Sequence, residues 1–496
     1  MGTIAKQGVF NFIIAYIGVV IGVINTILLF PNIFSADEFG LTRIIVSAAI
    51  MSTSLFSFGI NNIVLKFFPF FKDKSAKHNG FLLFVMIVPL VGYLLFLIIS
   101  ILFRPDIMVY YSKQNTLFSD NYTYVIILTF YLLYLYLFDT YLRALQKSTI
   151  YSFLDDIVLK CIWFVLILLY YFKYLNFNEF IFGYINAYGL LVLIELGYLI
   201  HIKEFSISYN LKKFDSKTIK QLMGFGLFTM FGAGITGTAA TIDSLMIGAL
   251  AKNSLSGVAF YSVAFYISYL IVIPFNALNR ILNTSISEAW KNNDIAQIQK
   301  LYKESSNNLL IVAMLIFLGI WLNVDSFFEL VPTEYKEAKY VLFFICIAKI
   351  YEVSVGINGI IINFSKYFKT IFYINILLIC LLIATNYLLI PTMGIVGAAI
   401  ATLFSTVIVI SFYLVFLYNK YNILPFTNKS FYTILISLTI YFFINLIPDL
   451  NNVIYNLIIR SFLILVIFIP SIYYLKISSE INQVIDKNLN RIGLKK

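Results

Sequence analysis

Charge is what this 496-residue sequence has least of. Asp, Glu, Lys and Arg make up 12% of it, against roughly a quarter in a soluble domain. A soluble chain of this length would divide into domains, each needing a charged skin. The residues for such a skin are missing. Histidine occurs twice, as His78 and His201, both in segments that read as loops; two distant histidines make no metal site. Of cysteine there are three, Cys161, Cys346 and Cys380. All fall within apolar runs, where they serve as small apolar residues and imply no disulfide. The sequence has no GxxxxGK[ST], no HExxH and no GxSxG elbow, the marks of phosphate-binding, zinc-hydrolase and serine-hydrolase chemistry. Neither the longest external loop (104–121) nor the longest internal one (279–307) is long enough to fold alone. These absences exclude a secreted disulfide scaffold, a disordered chain and nearly every soluble enzyme. No catalytic residue is expected, and the chain reads as one that moves something.

What is present is hydrocarbon: 61% hydrophobic residues and a mean hydropathy of +0.90. A helix crosses a bilayer core with about 20 apolar residues, because every backbone group must be satisfied internally. Fourteen such runs are expected, near 8–30, 42–65, 80–103, 121–138, 158–176, 180–200, 222–250, 258–278, 308–328, 339–363, 370–390, 394–417, 430–447 and 453–475. The fold class is therefore an all-α polytopic membrane protein of about 14 transmembrane helices. Cations orient it. With the N-terminus inside, 26 of the 35 Lys and Arg fall in internal segments and seven in external loops, with Lys349 and Arg460 inside spans. Both termini are thus expected to be cytoplasmic. The net charge of +11 is read as a topogenic signal, with no soluble domain to bind nucleic acid. The first run follows Lys6 and is too long for a signal-peptide core, so it is taken as an uncleaved span.

Several finer features follow. The doublet Asp155-Asp156 is expected to open a helix, where the dipole favours acids. Pro89, Pro274 and Pro470 should kink spans 3, 8 and 14. Two internal segments have apolar residues at helical spacing among polar ones. They are the tail (Ile477, Ile481, Val484, Ile485, Leu489, Ile492) and 286–304 (Trp290, Ile295, Ile298, Leu301), and both read as interfacial helices.

Two stretches also align. Lys6-Gln7, Phe39-Gly40-Leu41 and Lys66 recur as Lys220-Gln221, Ser256-Gly257-Val258 and Arg280 at similar intervals. This suggests two six-helix lobes of parallel topology. The N-terminal lobe is 1–200, a cytoplasmic linker is 201–221 and the C-terminal lobe is 222–418. Spans 13 and 14 occupy 430–475, and 476–496 is an amphipathic tail.

Further stretches carry a resemblance over nearly the whole chain: Ser35-Ala-Asp-Glu-Phe-Gly40, Phe58-Gly59-Ile-Asn to Lys66-Phe-Phe-Pro69, Thr241-Ile-Asp243-Ser-Leu-Met-Ile-Gly248, Gly257-Val-Ala-Phe-Tyr261 and Asn386-Tyr-Leu-Leu-Ile-Pro391-Thr-Met-Gly394-Ile-Val-Gly397-Ala-Ala-Ile-Ala-Thr402. In these the chain resembles the multidrug/oligosaccharidyl-lipid/polysaccharide exporter superfamily, and within it the polysaccharide transporters, the O-antigen (Wzx-type) flippases. The resemblance implies a MATE-like fold. It also implies an alternating-access flippase in a bacterial cytoplasmic (inner) membrane, turning undecaprenyl-diphosphate-linked oligosaccharide from the inner to the outer leaflet. The units carried would belong to O-antigen, capsule or exopolysaccharide. Membrane lipids and glycan polymerases are the implied partners, with no cofactor beyond a coupling Na+ or H+. The rivals are a drug or cation exporter or a lipid II flippase of the same fold. The latter's basic residues in span 1 have no counterpart beside Asn11 and Asn25. From another class, a membrane glycan polymerase or ligase would want external Arg or His clusters, which are lacking.

A diphosphate needs cations. The candidates are Lys349, Arg280, Lys66, Arg143 and Arg43. Lys349 is deepest in a span, where a charge is costly unless it faces a cavity or a partner; Glu352, three residues on, is the partner at hand. The others sit near span ends, where snorkelling is the alternative. Asp243, with Thr238 and Thr241 nearby, is the acid most costly to bury unpaired. Relatives in the superfamily bind sodium in the C-terminal lobe, and the matching positions are Asp243, Asn386, the Ala398 carbonyl and Thr402, oxygen donors suited to a hard cation. Leu382 stands where another oxygen is expected. A proton on Asp243 is the competing idea. Glu195, alone in span 6, is a possible proton-relay residue.

Overall fold

The computed structural model describes residues 14–73, 76–111, 116–147, 149–205, 207–208, 214–230, 235–448 and 452–491, without the side chains of 235–240, 280, 281 and 491. Among them every regular element is helical. The chain forms two compact units, Met1–Ser262 with Asn386–Ile395, and Val263–Thr385 with Val396–Lys496.

In the first unit α1 (Ile14–Ile33) carries a π turn over Ile24–Leu29. Ser35 then caps α2 (Ala36–Phe56): its hydroxyl accepts from the Glu38 N–H, and the Glu38 carboxylate accepts from the Ser35 N–H in return. That exchange satisfies amide groups that a helix start leaves open. A break at Ser57–Gly59, with left-handed φ at Phe58 and Gly59, separates α3 (Ile60–Phe71). After α4 (Phe81–Leu102) comes α5 (Thr123–Ala144), the pillar on which α2, α3 and α4 pack. The chain next enters a helix at Thr149, passes a π turn at Leu154–Val158 and continues as α6 (Leu159–Tyr171). Asn176 and Glu179 cap α7 (Phe177–His201) reciprocally, and α7 packs on both α5 and α6. Asp215 caps α8 (Ser216–Thr229). The Thr218 side chain and amide both bond the Asp215 carboxyl, which lowers it below the usual aspartate range. α9 (Ile235–Leu250) lies along α2, followed by α10 (Ser254–Tyr269).

The second unit is built on α12 (Ile295–Trp321). Around it stand α11 (Ile273–Lys291), α13 (Lys339–Val355), α16 (Asn428–Asn445) and α17 (Val453–Tyr474). Between them run α14 (Asn358–Phe364) and α15 (Lys369–Tyr421). α15 has 53 residues, which at about 1.5 Å each would reach some 80 Å if straight, far more than a bilayer core of about 30 Å. Gly394, at φ 59° and ψ −138°, breaks it. That conformation is open to glycine and hostile to other residues, and it divides the run into the two spans expected near 370–390 and 394–417. The tail helix α18 (Ser479–Arg491) docks on α17. There the Tyr473 hydroxyl donates to Asp486 at 2.5 Å, and Asn482 donates to the Tyr473 carbonyl at 2.9 Å.

Among the described residues eight helices are long and apolar enough to cross a membrane, and ten when each of two bent pairs counts as one. The chain is a multi-pass membrane protein. Several expectations are corrected in detail. The run near 42–65 is two helices, so Lys66 lies inside α3 rather than closing a span. The run near 258–278 bends by 51° between α10 and α11, with Pro274 in the first turn of α11, where its missing N–H is harmless. Asp155-Asp156 does not open a helix: the doublet sits in a π turn one residue beyond Thr149–Phe153. The 286–304 segment is the meeting of α11 and α12. Ile286 and Ile298 are fully buried there, and Trp290 donates to the Ile361 carbonyl at 3.0 Å, so core packing claims the side chains that read as interfacial.

Candidate functional site

The first constellation centres on Asp243 of α9. Its carboxylate is 2% exposed. One oxygen accepts from the Tyr261 hydroxyl at 2.5 Å and the other from the Asn386 amide at 2.7 Å. Tyr261 and Asn386 are themselves buried, so hydrogen bonds to a charged acceptor stand in for lost water, each worth about 1.5–3 kcal/mol. The family resemblance paired Asp243 with Asn386; it missed Tyr261, although the pentapeptide ending there was singled out. The Thr238 side chain is outside the described residues. Ala398 and Thr402 lie farther along α15 in the second unit, the first buried and the second half-buried.

As a sodium site these residues fit poorly. Both Asp243 oxygens hold hydrogen bonds, the Asn386 face turned to them is its N–H2 group, and Leu382, buried one turn earlier, offers only hydrocarbon to a hard cation. The Asn386 carbonyl oxygen, buried without a partner among the described residues, is the single feature in sodium's favour.

The second constellation is in the same unit and was not foreseen as a cluster. Glu195 of α7 is 0% exposed, and neither carboxyl oxygen has a hydrogen-bond partner among the described residues. The charges of Asp139 on α5 and Asp155 in the π turn act on it. Asp139 is engaged by Arg143 at 2.6 Å, one turn away, where i and i+4 side chains meet on a helix face. Arg143 is therefore an ion-pair partner, also donating to Thr140 at 3.1 Å. Such an i, i+4 pair was legible in the sequence; its approach to Glu195 was not.

The remaining cations divide. Arg43 rests on the Phe30 and Phe39 rings at 5.2 and 4.9 Å and donates to Thr26 at 3.3 Å. Lys66 is exposed, with its ammonium 3.9 Å from the Phe225 ring centre; aromatic faces attract cations without cancelling their charge. Lys349 pairs with Glu352 at 2.9 Å, as the i, i+3 spacing allowed. The backbone of Arg280 lies in α11, and its side chain is outside the described residues.

The second unit also holds a groove of about 720 Å³. Met314, Phe317 and Trp321 of α12, Phe343 and Ile347 of α13, and Ile434 and Leu438 of α16 supply its walls. Nothing in the sequence reading marked it.

No family model and no curated protein sequence matches the chain. Its fold, however, is shared with solved transporters. The lipid II flippase MurJ, in an inward closed conformation, superposes with a TM-score of 0.71 at 15% identity, covering 94% of this chain and 99% of that one. A multidrug resistance MATE family transporter of the MOP superfamily, inward-facing, gives 0.63 at 10% identity, with 84% and 98% covered. A MOP superfamily transporter from Pyrococcus furiosus gives 0.52 at 13%, with 85% and 97% covered. The fold is MurJ/MATE-like.

Proposed function

We propose that the chain is a flippase for lipid-linked oligosaccharide rather than an enzyme. Its place would be a bacterial cytoplasmic membrane, with both termini inside. The observation that carries this reading is the apolar groove between α12, α13 and α16. A drug-sized amphiphile needs polar groups placed in its pocket to fix its orientation, whereas this groove is walled almost wholly by hydrocarbon and suits a polyprenyl tail. The transporter fold supports the same reading. Lys66, exposed and held over an aromatic face of the first unit, keeps a charge available to an anionic group. Substrates of the O-antigen, capsule or exopolysaccharide type remain the reading taken from the sequence.

Lipid II is the second reading, favoured by the match over 94% of the chain. The test is protease-free vesicle flipping with a defined undecaprenyl-diphosphate oligosaccharide, lipid II and a cationic drug in parallel. The account expects the first to cross. Leu438→Trp, which fills the groove, should lower its rate about tenfold, equivalent to about 1.4 kcal/mol, with the protein level unchanged. Transport of the drug alone would defeat the reading.

A further inference from the structure

Burying an ionised carboxylate with no partner is among the costliest acts in folding. Glu195 is buried without a hydrogen-bond partner among the described residues, and its charged neighbours are mostly acids. α7 packs on α5 and on the helix through α6. From α5 it meets Asp139 and, beyond it, Arg143, with Tyr136 one turn back; from the π turn and its flank come Asp155 and Tyr151, the latter within electrostatic range of all three acids. Asp156 is occupied by Lys160 at 3.3 Å. On its own helix the neighbouring titratable groups are Tyr188 and Tyr198. The nearest cation, Arg143, is spent on Asp139, and its side chain is 46% exposed. No group of three metal-binding side chains is found among the described residues.

From this geometry we infer that Glu195 is the proton-binding residue of a site formed with Asp139 and Asp155, the ligand being H+. Binding adds one proton from water to a carboxylate oxygen and makes Glu195 a neutral acid; release returns that proton to water and leaves a third negative charge beside two others. Arg143, its side chain 46% exposed, lies one residue before the end of α5 at Ala144, which puts the exchange route at that end. π turns are unusual in helices and gather at functional places, and this one brings Asp155 to the cluster. The site stands without the transport reading. Its use to drive the carrier rests on that reading.

The test is infrared difference spectroscopy of the full-length protein in lipid vesicles, between acidic and alkaline buffer with no transported substrate. Among the protonated-carboxyl bands of the protein's acids, one component is expected that shifts in Glu195→Asp and is lost in Glu195→Gln. If Glu195→Gln does not fold, the shift of that component in Glu195→Asp decides the matter. No component that moves in Glu195→Asp, or none lost in folded Glu195→Gln, overturns the site. That component without oligosaccharide flipping would leave the site and defeat the transport reading; flipping without the component would do the reverse.

Discussion

Asp243 and Glu195 are both buried in the same unit, and the fold treats them in opposite ways. Asp243 is met by a hydroxyl and an amide, both buried with it; Glu195 is met by other acids and by no donor among the described residues. Burial is nearly equal, so burial alone assigns neither a role. Donors aimed at a carboxylate fix its charge and make it part of the scaffold. Their absence leaves the proton as the countercharge, and a proton is the one ligand that exchanges without rebuilding the site.

The sharpest way to break this comparison is to delete each charge for hydrocarbon. Asp243→Leu strands two buried donors and should cost about 3 kcal/mol or more, since each unsatisfied buried group costs about 1–3 kcal/mol. Glu195→Leu removes a group with nothing to lose and should shift stability by less than about 1 kcal/mol, or raise it. Thermal unfolding in detergent reads both, and the reverse order would undo the contrast. Next comes Tyr261→Phe, expected to cost about 1.5–3 kcal/mol, the range for a hydrogen bond to a charged acceptor. Arg143→Gln leaves Asp139 buried without its cation. Because Arg143 is half in solvent, the expected loss is smaller, about 1–2 kcal/mol, and adding Asp139→Asn should recover most of it in a double-mutant cycle. The smallest stability effect, below about 1 kcal/mol, is expected for Lys349→Gln, whose pair with Glu352 is partly exposed. Here the informative readout is surface polysaccharide. If Lys349→Gln abolishes it and Lys349→Gln with Glu352→Gln does not restore it, the lysine does more than neutralise its neighbour.

Much of the fold could be read from the residues, because hydrocarbon length and the positions of Lys and Arg answer to the bilayer, whatever packs inside it. The runs near 80–103, 121–138 and 180–200 correspond closely to α4, α5 and α7. Breaks were less legible. The one at Ser57–Gly59 interrupts a stretch as apolar as its neighbours, and a π turn at Leu154–Val158 changes no hydropathy. At the sites, the pair of Lys349 with Glu352 was read from its spacing; that of Asp139 with Arg143 was not, although its i, i+4 spacing stands in the sequence. Asp243 and Asn386, 143 residues apart, were joined only through resemblance to a family. Tyr261 and the meeting of Glu195 with Asp139 and Asp155 depend on which helix faces which, and no single-sequence pattern carries that. The groove between α12, α13 and α16 escaped for the same reason: its walls are the apolar residues that lipid contact also demands.

The most direct test of the whole account is flipping itself, in sealed vesicles carrying the purified chain and a labelled undecaprenyl-diphosphate oligosaccharide, with a cationic drug as the control. Protein-dependent crossing of the oligosaccharide, slowed by Leu438→Trp and unmatched by the drug, is the result expected. An oligosaccharide that stays in its leaflet while the drug crosses would contradict it.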